Sequence, residues 1–219
     1  MAAARKKAPR RKPIQTRSQE TVRAIVDAAA RVLARRGYAA TTTNHVAARA
    51  GVSIGSFYEY FRDKDAVVRA VLERHLAAGE ALFAERAAAL GAGQGTLREL
   101  LGALVQAFID FHADDPRLHR VLSHEVPHSA ATVRRVLELE RRIVAIIAGI
   151  LAAHPEARVR DPRLAAQLCV ETVDALAHRW IVDEGGEPIA AEALAHELTE
   201  LLVAYVARGT SPRPRGTSA

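Results

Sequence analysis

Apolar residues return at three- and four-residue intervals along nearly the whole chain, and nowhere do they alternate with polar ones. That spacing lines one face of an α-helix and not one face of a strand, so the chain must fold as helix packed on helix. Val22, Ile25, Val26, Ala29 and Leu33 make the first such face; Val67 or Val68, Val71, Leu72, His75, Leu76, Leu82 and Phe83 make a later one. Further faces run from Leu97 to His112, Val133 to Ile150, Leu164 to Ile181 and Leu194 to Tyr205. Gly37, Gly51, Gly91, Gly93, Gly95, Pro116, Pro155, Gly185, Gly186 and Pro188 separate them. The pattern predicts an all-α fold of about nine helices with no internal repeat. No apolar run is long enough to cross a bilayer. With Cys169 the only cysteine, an internal disulfide and a cysteine-based zinc site are excluded, and a cytoplasmic setting is expected.

Charge divides the chain unevenly. Residues 1–75 hold 16 Lys/Arg against 6 Asp/Glu, while residues 76–219 hold 15 against 19. A first third with a balance of +10 is the footprint of a polyanion binder, because each neutralised phosphate releases counterions. Residues 1–17, basic and without apolar period, read as a disordered arm; 18–64 as a small DNA-binding domain; 65–208 as a larger helical domain; and 209–219 as a disordered tail.

The small domain concentrates the aromatic residues. Phe57, Tyr58, Tyr60 and Phe61 fall within five positions of a chain that has only five Phe, four Tyr and one Trp. On a helix over about residues 54–61, Ile54, Phe57 and Phe61 share one side, while Ser56, Glu59 and Tyr60 share the other and Tyr58 lies at the margin. Phe57 and Phe61 are therefore expected in the core, and the two tyrosines at a surface where their hydroxyls suit phosphate oxygens. The stretch AARAGVSIGSFY sets two short helices around a tight turn, the helix-turn-helix arrangement whose second helix enters the major groove.

The longer stretch TTTNHVAARAGVSIGSFYEYFRDKDAVV closely resembles the N-terminal domain of the TetR (tetracycline repressor) family of transcriptional regulators. Thr43, Val46, Ala47, Ala50, Gly51, Val52, Ser53, Gly55, Phe57, Tyr58, Phe61, Lys64 and Val67 carry the match. The resemblance implies a three-helix DNA-binding domain followed by a helical ligand-binding and dimerisation domain. It implies a homodimeric repressor that binds a palindromic operator in double-stranded DNA and is released by a small molecule. By position, Thr43, Ser56, Tyr58, Tyr60 and Lys64 would contact DNA, chiefly its backbone, with Thr42, Asn44, Ser53 and Gly55 on the same surface. Ile54 and Ser56 would reach base edges, Ile54 by apolar contact alone. Dimers would form through helices over about 162–184 and 190–208, which the sequence allows: the first is apolar over more than one face, and Leu194, Leu198, Leu201, Leu202 and Tyr205 stripe the second.

Residues beyond about Asp65 supply aliphatic stripes, few rings and several polar groups, the composition of a pocket for a lipophilic effector. Leu104, Phe108, Phe111, His112, Leu122, His124, Ile143, Ile147, Cys169, Val173 and Trp180 are the expected lining, with Glu171, Asp174 and His178 as further polar groups. A competing motif is HEVPH at 124–128, which formally matches the zinc-protease pattern H-E-x-x-H. That chemistry needs both histidines on one helical face, and Pro127 opposes it by pushing Val126 from helical angles. A sensory metal site drawing on His112, His119, His124 or His128 is the other alternative, but chance scatter of nine histidines in 219 residues accounts for them adequately. The glycine-rich GAGQG at 91–95 follows no strand and reads as a hinge. No catalytic residue, cofactor or resident metal is expected, and no membrane.

Overall fold

A computed structural model describes residues 12–90, 95–182 and 189–208. Among them the chain forms nine α-helices, two π-helical turns and no strand. The helices are α1 (Lys12–Arg36), α2 (Thr43–Ala50), α3 (Ile54–Tyr60), α4 (Lys64–Leu90), α5 (Leu97–Asp114), α6 (Pro116–Arg120), α7 (Ala130–Ala153), α8 (Pro162–Ala177) and α9 (Ala191–Arg208). One π-turn, Val121–Glu125, follows α6, and the other, His178–Val182, follows α8. No described helix is long and apolar enough to cross a membrane.

The first helix begins at Lys12, six residues before the expected start at Ser18, so residues 12–17 belong to α1 and not to an arm. Pro13 lies in the first turn, where an amide would have no acceptor, and nothing between it and Ser18 disfavours helix. Thr21 donates its hydroxyl to the Arg17 carbonyl one turn back, 2.9 Å away. The expected arm over 1–11, part of the GAGQG hinge, the break at Gly185, Gly186 and Pro188, and the tail beyond Arg208 lie outside the described residues.

The described residues divide into two compact units. The first takes residues up to Arg74 together with Val121–Val126; the second takes His75–Arg120 and residues from Pro127 onward. In the first unit α2 packs on α1 and α3 on α2. Ile25, Leu33, Val46, Phe57 and Val67 are among its fully buried side chains, and removing each from water stabilises the fold by about 2 kcal/mol. The Val121–Glu125 turn joins this unit by burying Val121 and Leu122 and by sending the Glu125 carboxylate to the Tyr38 amide, 2.8 Å away. Gly37 takes φ +73°, a backbone angle that favours glycine, and a Cβ there would lie 2.6 Å from the Glu125 carboxylate oxygen, which would have to move.

In the second unit α5 lies against α9 and α7 against α8, while α8 also touches α5 and α9. Its core takes Leu97, Leu101, Leu104 and Ile109 from α5, Val144, Ile147 and Leu151 from α7, and Leu194, Leu198, Leu202 and Val206 from α9. From α8 come Ala165, Ala166, Cys169 and Val173, two of them small enough to let a neighbouring helix come close. Thr96 and Glu99 form a reciprocal capping box at the start of α5, and the Glu156 carboxylate accepts from the Leu97 amide at 2.9 Å. Glu80 on α4 pairs with Arg135 and Arg142 on α7, at 2.6 and 2.9 Å, and these contacts hold its carboxyl below the usual range.

Candidate functional site

The first unit presents a helix-turn-helix built by its caps. Thr42 accepts from the His45 amide and opens α2; Gly51 closes it in the left-handed conformation, φ +70°, and its amide bonds back into the helix. Two residues later the Ser53 hydroxyl accepts from the Ser56 amide at 3.0 Å and starts α3. With Val46 and Phe57 wholly inside, and Phe61 also buried, the register of both helices on the core is fixed. Their outer side exposes Thr42, Asn44, Ser53, Ile54, Gly55 and Tyr58, the last at 52%. Thr43 and Ser56 are half-buried beside them, and the Thr43 hydroxyl lies 3.2 Å from that of Tyr58. One polar group from each helix is thus aimed at the same place, a geometry suited to one phosphate.

Tyr60 is half-buried, less displayed than its side of the helix suggests. Lys64 is also half-buried, and its ammonium donates to the Tyr38 carbonyl at 3.1 Å while standing 3.9 Å above the Tyr38 ring. The Tyr38 hydroxyl in turn donates to Asp65 at 2.7 Å, a bond that raises its pKa further than burial does. Sequence reasoning missed Tyr38. The one available signal was an aromatic residue directly after a helix-stopping glycine in a basic segment.

The second unit gathers most of the residues expected around an effector. Leu104, Ile147, Cys169 and Val173 are buried in its core, with Phe108, Ile143 and Trp180 packed against them. Burial pushes the Cys169 thiol up to about 11. Phe108 stacks on His112 at a centroid distance of 4.2 Å, and Phe111 meets the same imidazole edge-on at 5.8 Å. His112 is buried, and desolvation pulls its pKa down to about 4 against the opposing bond to the Phe108 carbonyl, so the ring is neutral near pH 7. His119 and His178 form a triangle with it, 4.1 and 5.2 Å from its centroid and 5.1 Å from each other, and His75 bonds to His119. Glu171 and Asp174 are exposed. Leu122 and His124 are not part of this group, since both belong to the first unit, Leu122 buried there and His124 exposed.

The HEVPH stretch does not form a metalloprotease helix. His124 lies in the π-turn, His128 follows Pro127 outside any helix, and the Glu125 carboxylate is bonded to Tyr38.

Comparison with known proteins adds to this geometry. Residues 25–71 match the family described as bacterial regulatory proteins, tetR family, and residues 96–205 match the tetracyclin repressor-like C-terminal domain. The chain is 27% identical over 187 residues to the fatty acid metabolism regulator protein of Bacillus subtilis (strain 168), covering 83% of this chain and 93% of the relative. Its fold is similar to that of a putative TetR-family transcriptional regulator from Mesorhizobium loti, with a TM-score of 0.72 at 20% identity over 87% of this chain and 98% of the other. It is also similar in fold to the transcriptional regulator FadR from Bacillus subtilis, solved in complex with stearoyl-CoA, with a TM-score of 0.65 at 24% identity over 84% of this chain and 98% of the other.

Proposed function

The chain belongs to the tetR family of bacterial regulatory proteins, DNA-binding transcriptional regulators whose C-terminal domain binds a ligand, and from that premise we propose that it is a cytoplasmic, homodimeric repressor released by a long-chain acyl compound. The observation that carries the regulatory reading is the pairing of one head, which exposes Thr42, Ile54, Ser53 and Tyr58 around the same turn, with one effector-type helical domain. Tyr58, Thr43, Ser56 and Lys64 serve the DNA backbone, Ile54 a base edge such as a thymine methyl, and Thr42, Asn44, Ser53, Gly55 and Tyr60 complete the contact surface.

The acyl reading rests on two supports. Leu104, Phe108, Ile143, Ile147, Cys169, Val173 and Trp180 meet in one aliphatic core with few rings, a surface that suits a flexible chain better than a large planar cation. The fatty acid metabolism regulator of Bacillus subtilis is a relative along most of its length, and the similarly folded FadR holds stearoyl-CoA. The ligand would favour a state that reads DNA poorly, with α4, which contributes residues to both units, as the element that shifts.

The test is fluorescence anisotropy of the full protein on a selected duplex, titrated with acyl-CoA esters of increasing chain length. Release by long chains and not by acetyl-CoA is expected. Phe108→Trp, which enlarges a ring packed against the core, should raise the releasing concentration at least tenfold with unchanged DNA affinity. DNA binding indifferent to every chain length would refute the acyl effector while leaving the regulator intact.

A further inference from the structure

Four histidines far apart in the chain converge inside the second unit. His75 lies on α4, His112 on α5, His119 on α6, and His178 at the first position of the π-turn after α8. One ring nitrogen from each of His112, His119 and His178 lies within 4.8 Å of the others. From this geometry we propose that His112, His119 and His178 bind a divalent transition-metal ion of the zinc, cobalt or nickel class within the effector domain.

The hydrogen bonds around the rings favour ligation. His112 Nδ1 is 2.8 Å from the Phe108 carbonyl and His178 Nδ1 is 2.9 Å from the Asp174 carbonyl, each one helical turn back. A carbonyl only accepts, so in both rings Nδ1 carries a proton and Nε2 is the nitrogen left to a metal. The Asp174 carboxylate also lies 3.4 Å from His178 Nδ1, the carboxylate–histidine arrangement that orients metal-bound imidazoles. His119 Nδ1 is 3.0 Å from His75 Nε2; with His119 as donor, its Nε2 takes the same role, and His75 is a positioning residue. All three ligands thus have their other nitrogen engaged by an orienting group.

The distances are also close to those required. Metal–nitrogen bonds of about 2.0–2.1 Å at tetrahedral angles place the nitrogens about 3.3 Å apart, so from separations within 4.8 Å each pair must close by at most about 1.5 Å, within reach of side-chain rotation. Imidazole nitrogen selects zinc, cobalt and nickel over magnesium and calcium, which take oxygen. His178 opens a π-helical turn, a local widening that recurs where a helix must aim a side chain at a site. Three neutral rings leave the ion's charge uncompensated and one tetrahedral position open, so water, hydroxide or an anionic donor from a small molecule would complete it. The site is separate from HEVPH, whose His124 lies in the first unit and whose His128 lies outside any helix.

The test uses full-length, untagged protein stripped with a chelator and then titrated with Co(II), reading the visible ligand-field bands of a low-symmetry tetrahedral or five-coordinate ion. One equivalent should bind to the wild type and equally to His196→Gln, a control at an exposed helical position. Loss of an orienting neighbour typically weakens such sites 10–100-fold, so His178→Gln and His119→Gln, which remove ligands, should lose more than about 100-fold. His178 is only half-buried, and circular dichroism should show that its variant keeps the wild-type helix content. No cobalt bands in the wild type, or wild-type affinity in a folded His178→Gln protein, would overturn the proposal.

Discussion

At Gly51 the backbone takes φ +70°, yet a Cβ there would meet nothing within 4 Å. The requirement for glycine is therefore one of backbone angle and not of space. Gly51→Ala should cost about 1–2 kcal/mol in denaturant unfolding, and Gly51→Asn, which tolerates the left-handed region, clearly less. Lys64 is a different case, because its charge is already engaged by the Tyr38 carbonyl and ring. Lys64→Ala should cost about 1 kcal/mol of stability in addition to any loss of DNA affinity, and Tyr58→Ala, at an exposed ring, should weaken DNA binding alone. Cys169 gives a residue-scale test of the second core. Alkylation requires the thiolate, and burial raises the pKa of this thiol, so the folded protein should resist iodoacetamide at about pH 8 and react as denaturant unfolds it. Rapid labelling of the folded chain, followed by mass spectrometry, would show that the core opens.

The elements differ in how well local sequence determines them. α2 and α3 are eight and seven residues long, too short to persist alone, so their caps and buried rings decide whether they form. Those signals are local, and Gly51 as a break and Phe57 as core were readable from the sequence. Ser53→Ala should cost about 1 kcal/mol and speed hydrogen exchange at the Ser56 amide, whose partner it removes. The start of α1 was less readable, because a basic stretch without apolar period can be either arm or helix. Neither π-turn has a sequence signature, so α8 was expected to run on to about Glu184 where it gives way at His178. The histidine cluster was hidden for another reason: its members lie on four elements, and no spacing rule joins residue 75 to residue 178. Tyr60 shows the limit of a helical wheel, which gives direction but not what a neighbouring segment covers.

Reading a two-fold operator takes two copies of the whole molecule. Leu164 and Leu168 on α8 and Leu201 on α9 are exposed, Leu164 at 56%, while Cys169, Val173, Leu198 and Leu202 of the same helices face the core. A second copy is the proposed cover for that outer surface, and pairing two heads would give a two-fold reading unit. Leu164→Glu with Leu201→Glu should shift sedimentation at micromolar concentration from dimer to monomer without loss of helix content, and should weaken DNA binding at least tenfold. The measurement that tests the central claim most directly is a footprint of the full-length protein on duplexes selected from random sequence at raised salt. One enriched inverted repeat, protected with two-fold symmetry and with its half-sites read from successive major grooves, is expected. Protection without symmetry, or no sequence preference once salt has suppressed phosphate binding, would contradict it.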